Sequence, residues 1–432
     1  MLKNAEYELK FVPQNHKNLE NAEYRIYNKP MKVLERQDFL QKLINTISTP
    51  DIKVITGIRR SGKSKLLEMF IEYLKKQIPK ANIIHINYNL FQFSTLKNAS
   101  ALNEYVENLY SPGKENFLLI DEVQLCKDFE HAVNSFHASE KYHIYITGSN
   151  AFLLSNDLAT LFTGRTFSIE VFPFSFKEFV SYFECKDLQQ AFDRFVMEGG
   201  MSGSYLYDTL DDKYNYLQEV FETLIVRDIQ QKYKIKNIPL LDTLNDFLVD
   251  NISSEVSARG VANTLTSKGS KVDDKTVSSY IKYLCASYAF YKIRRYDIKG
   301  KKYLASQDKY YLADHSFKYA KLGTKDFDYG RIYENIVCIE LLRRGYEVYT
   351  GVLYQKEIDF VAIKRNEKIY IQVSDDISRQ ETMEREKASL LTIKDAYPKM
   401  IIARTRHPVY QYEGIAVWDI AEWLMEAGAT PK

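Results

Sequence analysis

The sequence predicts an α/β fold, a parallel sheet followed by a second α/β unit, and three observations carry that prediction. Short apolar strands alternate with amphipathic helices between residues 36 and 150. The loop Gly57-Ile58-Arg59-Arg60-Ser61-Gly62-Lys63-Ser64 fits G-x-x-x-x-G-K-[ST] and stands between a strand and a helix. From Asp328 onward the pattern runs helix, three strands, helix, strand.

At 432 residues the chain has room for about two to four domains. With 45% hydrophobic and 27% charged residues it has the composition of a soluble globular protein. A net charge of +2 excludes a globally basic chain, so any nucleic-acid surface is local. Cys126, Cys185, Cys285 and Cys338 lie far apart, which speaks against a zinc site or disulfide framework and for reduced thiols in the cytoplasm. No apolar run approaches the ~18 residues of a membrane span, and no secretory signal is evident. Residues 1–29 are polar and aperiodic and are expected to form an arm or leader.

Residues 30–172 read as a P-loop ATPase core. Phe39, Leu40, Leu43, Ile44 and Ile47 make Arg36 to Ile47 an amphipathic helix. Ile52–Thr56 is the strand before the glycine loop and Lys65–Leu74 the helix after it. In such a loop, backbone N–H groups and the helix N-terminus face phosphate oxygens, so Gly57 to Ser64 are the expected ATP-binding residues. Lys63 is expected to reach the β- and γ-phosphates, and Ser64 to ligate Mg²⁺.

Further strands follow at Asn82–Tyr88, Phe117–Glu122 and His143–Asn150, with polar ends where an open α/β sheet binds ligands. Asp121 is expected to hold Mg²⁺ through water, and Glu122 to polarise the attacking water. Alternation along a strand would aim these carboxylates to opposite faces. Thr147 to Asn150 match a position that reads the γ-phosphate. Ser149 and Asn150 are the preferred candidates, and strand-end turn residues are the alternative. Arg165 is either an arginine that stabilises transition-state charge, in cis or across a subunit interface, or a structural ion pair.

In residues 173–245, Phe172-Pro173-Phe174-Ser175-Phe176-Lys177-Glu178-Phe179 breaks the sheet pattern and opens helices interrupted by Gly199-Gly200. This segment is expected to be a helical lid over the nucleotide. Arg227, beside Asp228, is a candidate for γ-phosphate contact or a solvated pair. Residues 246–322 are expected to be a winged helix. Its parts are a helix over Ser257–Leu265, a helix from Asp273 or Asp274 with Val277, Tyr280, Ile281, Leu284 and Cys285 on one stripe, and a hairpin of Phe290–Tyr296 and Lys302–Ala305. Arg259, Lys268, Lys271, Lys275, Lys282, Lys292, Arg294, Arg295, Lys299, Lys301 and Lys302 face few acids here. They are candidates for DNA phosphate contacts, with protein docking or a simply solvated basic face as the alternatives.

Residues 323–432 follow the αβββαβ order of a PD-(D/E)XK nuclease-like α/β domain, with Glu334 on the first helix and Asp359 in the second strand. That chemistry also needs an acid and a lysine two apart on the third strand, where period 2 puts them on one face. Gln372 and Ser374 stand there instead. Without the lysine a phosphodiester transition state lacks a charge stabiliser, and glutamine is a poorer hard-metal ligand than carboxylate. The expectation is a degenerate site of Glu334, Asp359 and Gln372 that does not cut. Lys387 on the next helix is the candidate replacement lysine.

Together GIRRSGKS, LLIDEVQ, ITGSN, FTGR and VFPFSFKEF resemble a family of prokaryotic AAA-type (archaeal-type) ATPases with a C-terminal restriction-endonuclease-like domain of unknown function. Glu198–Gly200, Arg227–Ile229 and Glu357–Val361 also match it, over residues 30 to 432. Met201-Ser202 departs from the family's Phe-Pro, and Gln372-Val373-Ser374 from its E-x-K. The resemblance implies an AAA-type sheet that binds and hydrolyses ATP with Mg²⁺, and it is compatible with a homo-oligomer. The expected function is a cytoplasmic ATPase coupled to a winged helix and a degenerate nuclease-like domain, acting on DNA or a DNA-associated partner. The rivals are an ATP-regulated DNA- or protein-binding module without turnover, and an ATP-gated nuclease.

Overall fold

Five parallel strands carry the glycine loop: β1 (Ile52–Thr56), β2 (Asn82–Asn87), β3 (Asn116–Asp121), β4 (Tyr142–Thr147) and β5 (Thr166–Glu170), in the order β2-β3-β4-β1-β5. The computed structural model describes residues 32–148, 162, 164–224, 229–267, 269, 272–324, 328–354, 356–426 and 428. Helices α1 (Gln37–Asn45) and α2 (Lys63–Gln77) cover one face, where Phe39, Leu43, Leu66 and Phe70 meet Ile55, Leu119 and Tyr145. Helices α3 (Ala99–Asn108) and α4 (Phe129–Ala138) cover the other, where Leu102, Val106, Val133 and Phe136 meet Val54, Ile120 and Ile146. With both faces covered, the inner strands read as apolar runs. Strand β5 escaped the sequence reading because it is an edge strand, Thr-Phe-Ser-Ile-Glu, in which Ile169 is buried and Phe167 is exposed.

The helical segment comprises α5 (Phe176–Phe183), α6 (Leu188–Glu198), α7 (Leu210–Thr223) and α8 (Ile238–Asp250). The helix pair follows as α9 (Ala258–Ser267) and α10 (Asp274–Ala286). Then come the hairpin β7 (Phe290–Asp297) and β8 (Lys302–Leu312), joined on its outer side by β6 (Glu255–Val256). After α11 (Ser316–Leu322), the C-terminal unit has the expected order: α12 (Tyr329–Arg343), β9 (Glu347–Leu353), β10 (Lys356–Lys364), β11 (Glu367–Ser374), α13 (Gln380–Leu391) and β12 (Lys399–Ala403). It ends with β13 (Tyr410–Tyr412), β14 (Ile415–Asp419) and α14 (Ile420–Met425).

The hairpin does not stand apart as a wing. Strand β7 pairs in parallel with β9, Arg294 opposite Tyr349, so hairpin and C-terminal strands form one nine-stranded sheet. Its order is β13-β14-β12-β11-β10-β9-β7-β8-β6. The boundary expected at 322/323 therefore cuts through a single sheet. Strand β8 also runs seven residues past the expected Ala305, to Leu312.

Helix α12 joins this sheet to the glycine-loop sheet. Asn335 accepts from the Leu312 N–H at 2.8 Å and donates to the Leu312 carbonyl at 2.9 Å, fixing α12 to β8. Further along α12, Ile339 enters the cluster of Phe39, Leu40 and Phe172. The helical segment is also tied to the C-terminal unit, by Arg404 on Asp193 at 2.6 Å and Gln189 on Asp419 at 3.1 Å. No helix among the described residues is long and apolar enough to cross a membrane.

The Gly199-Gly200 pair marks the tightest junction. The Gly200 N–H donates to Asp314 at 2.6 Å, and the Gly200 carbonyl accepts from Phe174 N–H at 2.7 Å. A Cβ at Gly199 would overlap Asp314 and Ser316, and one at Gly200 would overlap the Phe174 carbonyl. Gly200 has an ordinary φ, so Gly200→Ala isolates crowding from backbone strain. It is expected to lower stability by about 1–3 kcal/mol. Gly113→Ala, where a Cβ meets nothing within 4 Å, is expected to show only the left-handed backbone cost of about 1 kcal/mol. Thermal unfolding checks both, and a Gly200→Ala midpoint equal to that of the parent chain would refute the tight-junction account.

Candidate functional site

The glycine loop leaves β1 at Thr56 and enters α2 at Lys63. Gly57 has φ 131° and lies against Val171, whose N–H donates to the Thr56 carbonyl at 2.8 Å, so a side chain there would overlap the chain leaving β5. Gly62 takes the left-handed conformation (φ 95°) at the N-cap of α2. Lys63 is buried, and its ammonium lies over the loop, donating to Gly57 O at 2.8 Å and Ile58 O at 3.1 Å. Ser64 follows it in the first turn, partly exposed. The buried Ser61 hydroxyl has no hydrogen-bond partner among the described residues. Glycines that admit close approach, N–H groups of a helix start, a lysine and an orphan hydroxyl fit a phosphate group.

Asp121 ends β3, is 1% exposed, and accepts a hydrogen bond from the Thr147 hydroxyl at the end of β4. The same Thr147 oxygen accepts from the Glu122 N–H at 3.1 Å. Strand alternation does not set the direction of Glu122, contrary to the simple expectation. The strand stops at Asp121, and Glu122 is left-handed (φ 58°, ψ 46°), a conformation costly for a residue with a side chain and recurrent at functional sites. Its carboxylate accepts from Gln124. Since β4 lies between β1 and β3, Thr147 stands next to Ile55 of β1 and beside Asp121. The chain thus brings together the glycine loop, Asp121, Glu122 and Thr147, the last being the hydroxyl that the preference for Ser149 and Asn150 passed over. Ser149, Asn150 and Arg227 lie outside the described residues.

Arg165 sits elsewhere. Its carbonyl accepts from Ile52 N–H at 2.8 Å, at the amino end of β1 and β5. The glycine loop is at the opposite end, roughly 15 Å of strand away. From there Arg165 cannot serve the loop of its own chain. Of the helical segment, Tyr216 on α7 reaches the loop, with the Arg60 guanidinium 5.7 Å from its ring centre.

A residue that the sequence marks only as a helix boundary holds the loop. Arg36 is buried, and its NH1 donates to the Ser61 carbonyl at 2.9 Å. Its Nε and NH2 grip Glu178 at 2.7 and 2.9 Å. Glu178 also closes the capping box of α5 with Ser175. Burial opposes the charge on Glu178, but the Arg36 guanidinium overcomes this and holds the carboxyl below its usual value. Arg343 of α12 approaches the same carboxylate at 3.7 Å and donates to the Pro173 carbonyl at 2.8 Å. No spacing signal links positions 36, 178 and 343.

In the C-terminal unit, Glu334, Asp359 and Gln372 come together with residues the sequence reading left out. Glu334 accepts from Tyr311 at 2.6 Å and pairs with Lys309 at 3.0 Å. Lys309, 4% exposed, also pairs with Glu357 at 2.7 Å. Lys309 and Tyr311 share one face of β8, in the stretch beyond Ala305. Asp359 sits at a bulge in β10 and accepts from Val373 N–H at 2.8 Å. Gln372 accepts from Asp359 N–H and donates to Glu386, each at 2.8 Å. Burial, then the nearby Glu334 charge, pushes the Asp359 carboxyl well above its usual value, and Lys309 opposes this. Among the described residues no three His, Cys, Asp or Glu side chains are grouped to hold a metal ion. Lys387 does not face this cluster but pairs with Glu384 and Glu413, at 2.9 and 3.0 Å.

Of the basic stripe, Arg259, Lys275, Lys282, Arg294 and Lys301 are exposed. Lys292 is engaged by Asp308 at 2.6 Å and Arg295 by Glu255 at 3.3 Å. Lys299 lies over Tyr354. Lys268, Lys271 and the Lys302 side chain lie outside the described residues.

Comparison with known proteins bears on the domain that holds the loop. Residues 49–180 match a family model described as an AAA domain, and residues 189–328 match a domain of unknown function, DUF8612. The second match runs from α6 to the residue before α12, joining segments that the sequence reading had divided at 245/246. The chain resembles the Orc1 protein of Aeropyrum pernix, solved in complex with DNA, at 11% identity over 74% of this chain and 97% of that one. The TM-score of 0.32 is too low to bear on fold or function. An uncharacterized protein of Methanocaldococcus jannaschii is 28% identical over 384 residues, 85% of this chain and 83% of that protein. An uncharacterized protein of Haemophilus influenzae is 36% identical over 399 residues, 91% of this chain and 99% of that protein. With that identity along nearly the whole relative, and a glycine loop and Asp121-Glu122 at the strand ends of an AAA domain of P-loop fold, the chain belongs to the family of the Haemophilus influenzae protein.

Proposed function

We propose that the chain is a Mg²⁺-dependent ATPase whose turnover rearranges the AAA domain against its C-terminal half. The observation that carries this is the Thr147 hydroxyl, which holds both the Asp121 carboxylate and the Glu122 backbone at the strand ends beside the glycine loop. Lys63 and the loop N–H groups bind the phosphates. Ser64 and Asp121 are the residues that would hold Mg²⁺, an ion usually bound through one or two protein oxygens, water and substrate phosphates. When bound, Mg²⁺ neutralises charge on the phosphate oxygens. Glu122 orients a water and takes its proton, and its left-handed backbone turns the carboxylate out of the strand. Any contribution from Arg165 is made to a neighbouring copy. Lys63→Ala and Glu122→Gln are each expected to lower ATP turnover by about a hundredfold or more, with Glu122→Gln still binding nucleotide. Turnover unchanged in both variants would refute the assignment.

The C-terminal cluster is proposed to be a degenerate nuclease site in which Lys309 occupies Glu334, a carboxylate that would otherwise be open to a metal. This reading is supported by the Lys309 pairs with Glu334 and Glu357, and by the use of Gln372 as a bridge to Glu386. Removing one partner of a buried ion pair costs about 3–5 kcal/mol, and Lys309→Met should do so at neutral pH. A carboxyl raised in the folded state, like that of Asp359, costs nothing below its unfolded value near pH 4 and destabilises increasingly above it. Without Lys309 that cost grows. The difference in unfolding midpoint between parent and Lys309→Met is therefore expected to be large at pH 8 and to shrink toward pH 5. A difference independent of pH would argue that Lys309 merely packs.

DNA or a DNA-associated partner is the proposed target, supported by the exposed Arg259, Lys275, Lys282, Arg294 and Lys301. In a mobility-shift assay on a duplex, Lys282→Glu with Arg294→Glu is expected to weaken binding and to reduce the salt slope by roughly two. Affinity that does not change between about 50 and 200 mM salt would remove DNA as the target.

A further inference from the structure

The Ser61–Gly62 peptide is held from outside. A trans peptide is planar and its C=O and N–H point in opposite directions. Arg36 NH1 takes the Ser61 carbonyl at 2.9 Å, so the Gly62 N–H is turned the opposite way, away from Arg36. Gly62 is in the left-handed region (φ 95°), where glycine alone moves freely, so without that bond the peptide is free to flip. A flipped peptide would present a carbonyl oxygen, rather than a donor, to an anion.

Arg36 is itself over-determined. Two of its nitrogens form a fork on Glu178, NH2 also reaches the Pro173 carbonyl at 3.3 Å, and the guanidinium lies 4.5 Å from the Phe39 ring centre and 5.1 Å from that of Phe174. A lysine would keep the charge but lose the fork. Glu178 in turn is shared with the C-terminal half. Arg343 of α12 stands 3.7 Å from it and donates to the same Pro173 carbonyl that Arg36 touches. Arg343 is fixed from behind by Glu340 at 3.0 Å, and Ile339, one turn earlier, is packed in the AAA core.

We infer that Arg36 is a positioning residue for the phosphate loop, setting the Ser61–Gly62 peptide so that the Gly62 N–H faces a bound phosphate, and that Arg343 acts through Glu178 to make this setting depend on docking of the C-terminal unit. The inference rests on the nucleotide-binding reading of the loop and adds to it a route by which the C-terminal half controls affinity. By reciprocity, nucleotide binding strengthens the docking of α12.

The test is titration of the full chain with MgADP by calorimetry, well below the unfolding temperature of each variant. Arg36→Ala and Arg36→Lys are both expected to bind about tenfold more weakly or worse, the loss of a charge-assisted bond and its geometry. Arg343→Ala, with no atom in the loop, is expected to weaken binding by about threefold to tenfold, and Arg343→Lys to restore it because a cation again faces Glu178. Glu178→Gln combined with Arg343→Ala is expected to be no worse than Glu178→Gln alone, as two residues on one route require. A purely structural role would lower the unfolding temperature and leave MgADP affinity unchanged in the folded protein. Arg343→Ala within twofold of the parent chain would overturn the link to the C-terminal unit, and Arg36→Lys within twofold would overturn the peptide-setting role. A parent chain that binds MgADP no better than Lys63→Ala would overturn the nucleotide reading itself, and the inference with it.

Discussion

The Glu178 carboxylate lies between two largely buried guanidiniums, and much of the molecule is arranged around that contact. Burying a carboxylate is costly unless charge and hydrogen bonds replace water. Here the fork from Arg36, the Ser175 N–H and the approach of Arg343 supply that replacement. Each donor comes from a different part of the chain: the lead into α1, the start of α5 and the end of α12. Buried there, the carboxylate is compensated by donors from all three segments, so one anion ties together the AAA core, the helical segment and the C-terminal unit.

The second arrangement of this kind is the Lys309 network. A single buried ammonium faces Glu334 and Glu357, with Asp359 held nearby by Val373 and Gln372. The positive charge comes from β8 of the hairpin, and the acids come from α12 and β10. What joins the hairpin to the C-terminal strands is thus both the backbone ladder of β7 on β9 and charge complementarity across the sheet. Around Glu178 and around Lys309 alike, charges from distant segments compensate one another, and both networks use α12.

Legibility in the sequence followed how local each signal was. The glycine loop, its strand and its helix were readable because loop chemistry and periodicity act within a dozen residues. Asp121-Glu122 was readable as a polar end on an apolar strand. The element order of the C-terminal unit was readable for the same reason, and Gln372 stood out by comparison with a known pattern. Thr147 was passed over because it is the last residue of an apolar strand, and nothing local distinguishes it from Ser149 or Asn150. Lys309 is hidden because Gln307 and Asp308 interrupt the apolar alternation of β8, so the strand pattern stops short of it. Arg36, Glu178 and Arg343 carry no pattern at all, since their relation exists only in three dimensions. The domain boundary failed for a related reason: composition shows where strands are, but not which edge meets which.

The parallel pairing of β7 with β9 has a consequence for how such a protein can change over evolutionary time. Domains joined by a linker can be exchanged, duplicated or lost one at a time, because each keeps its own closed set of backbone partners. Here the helix pair and hairpin share a ladder with the C-terminal strands, and losing either half would leave a long row of unpaired N–H and C=O groups on the other, a surface prone to self-association. The segment from β6 to β14 is therefore bound into one ladder of backbone partners. Substitution of side chains on the hairpin's exposed face changes what it contacts without disturbing that ladder.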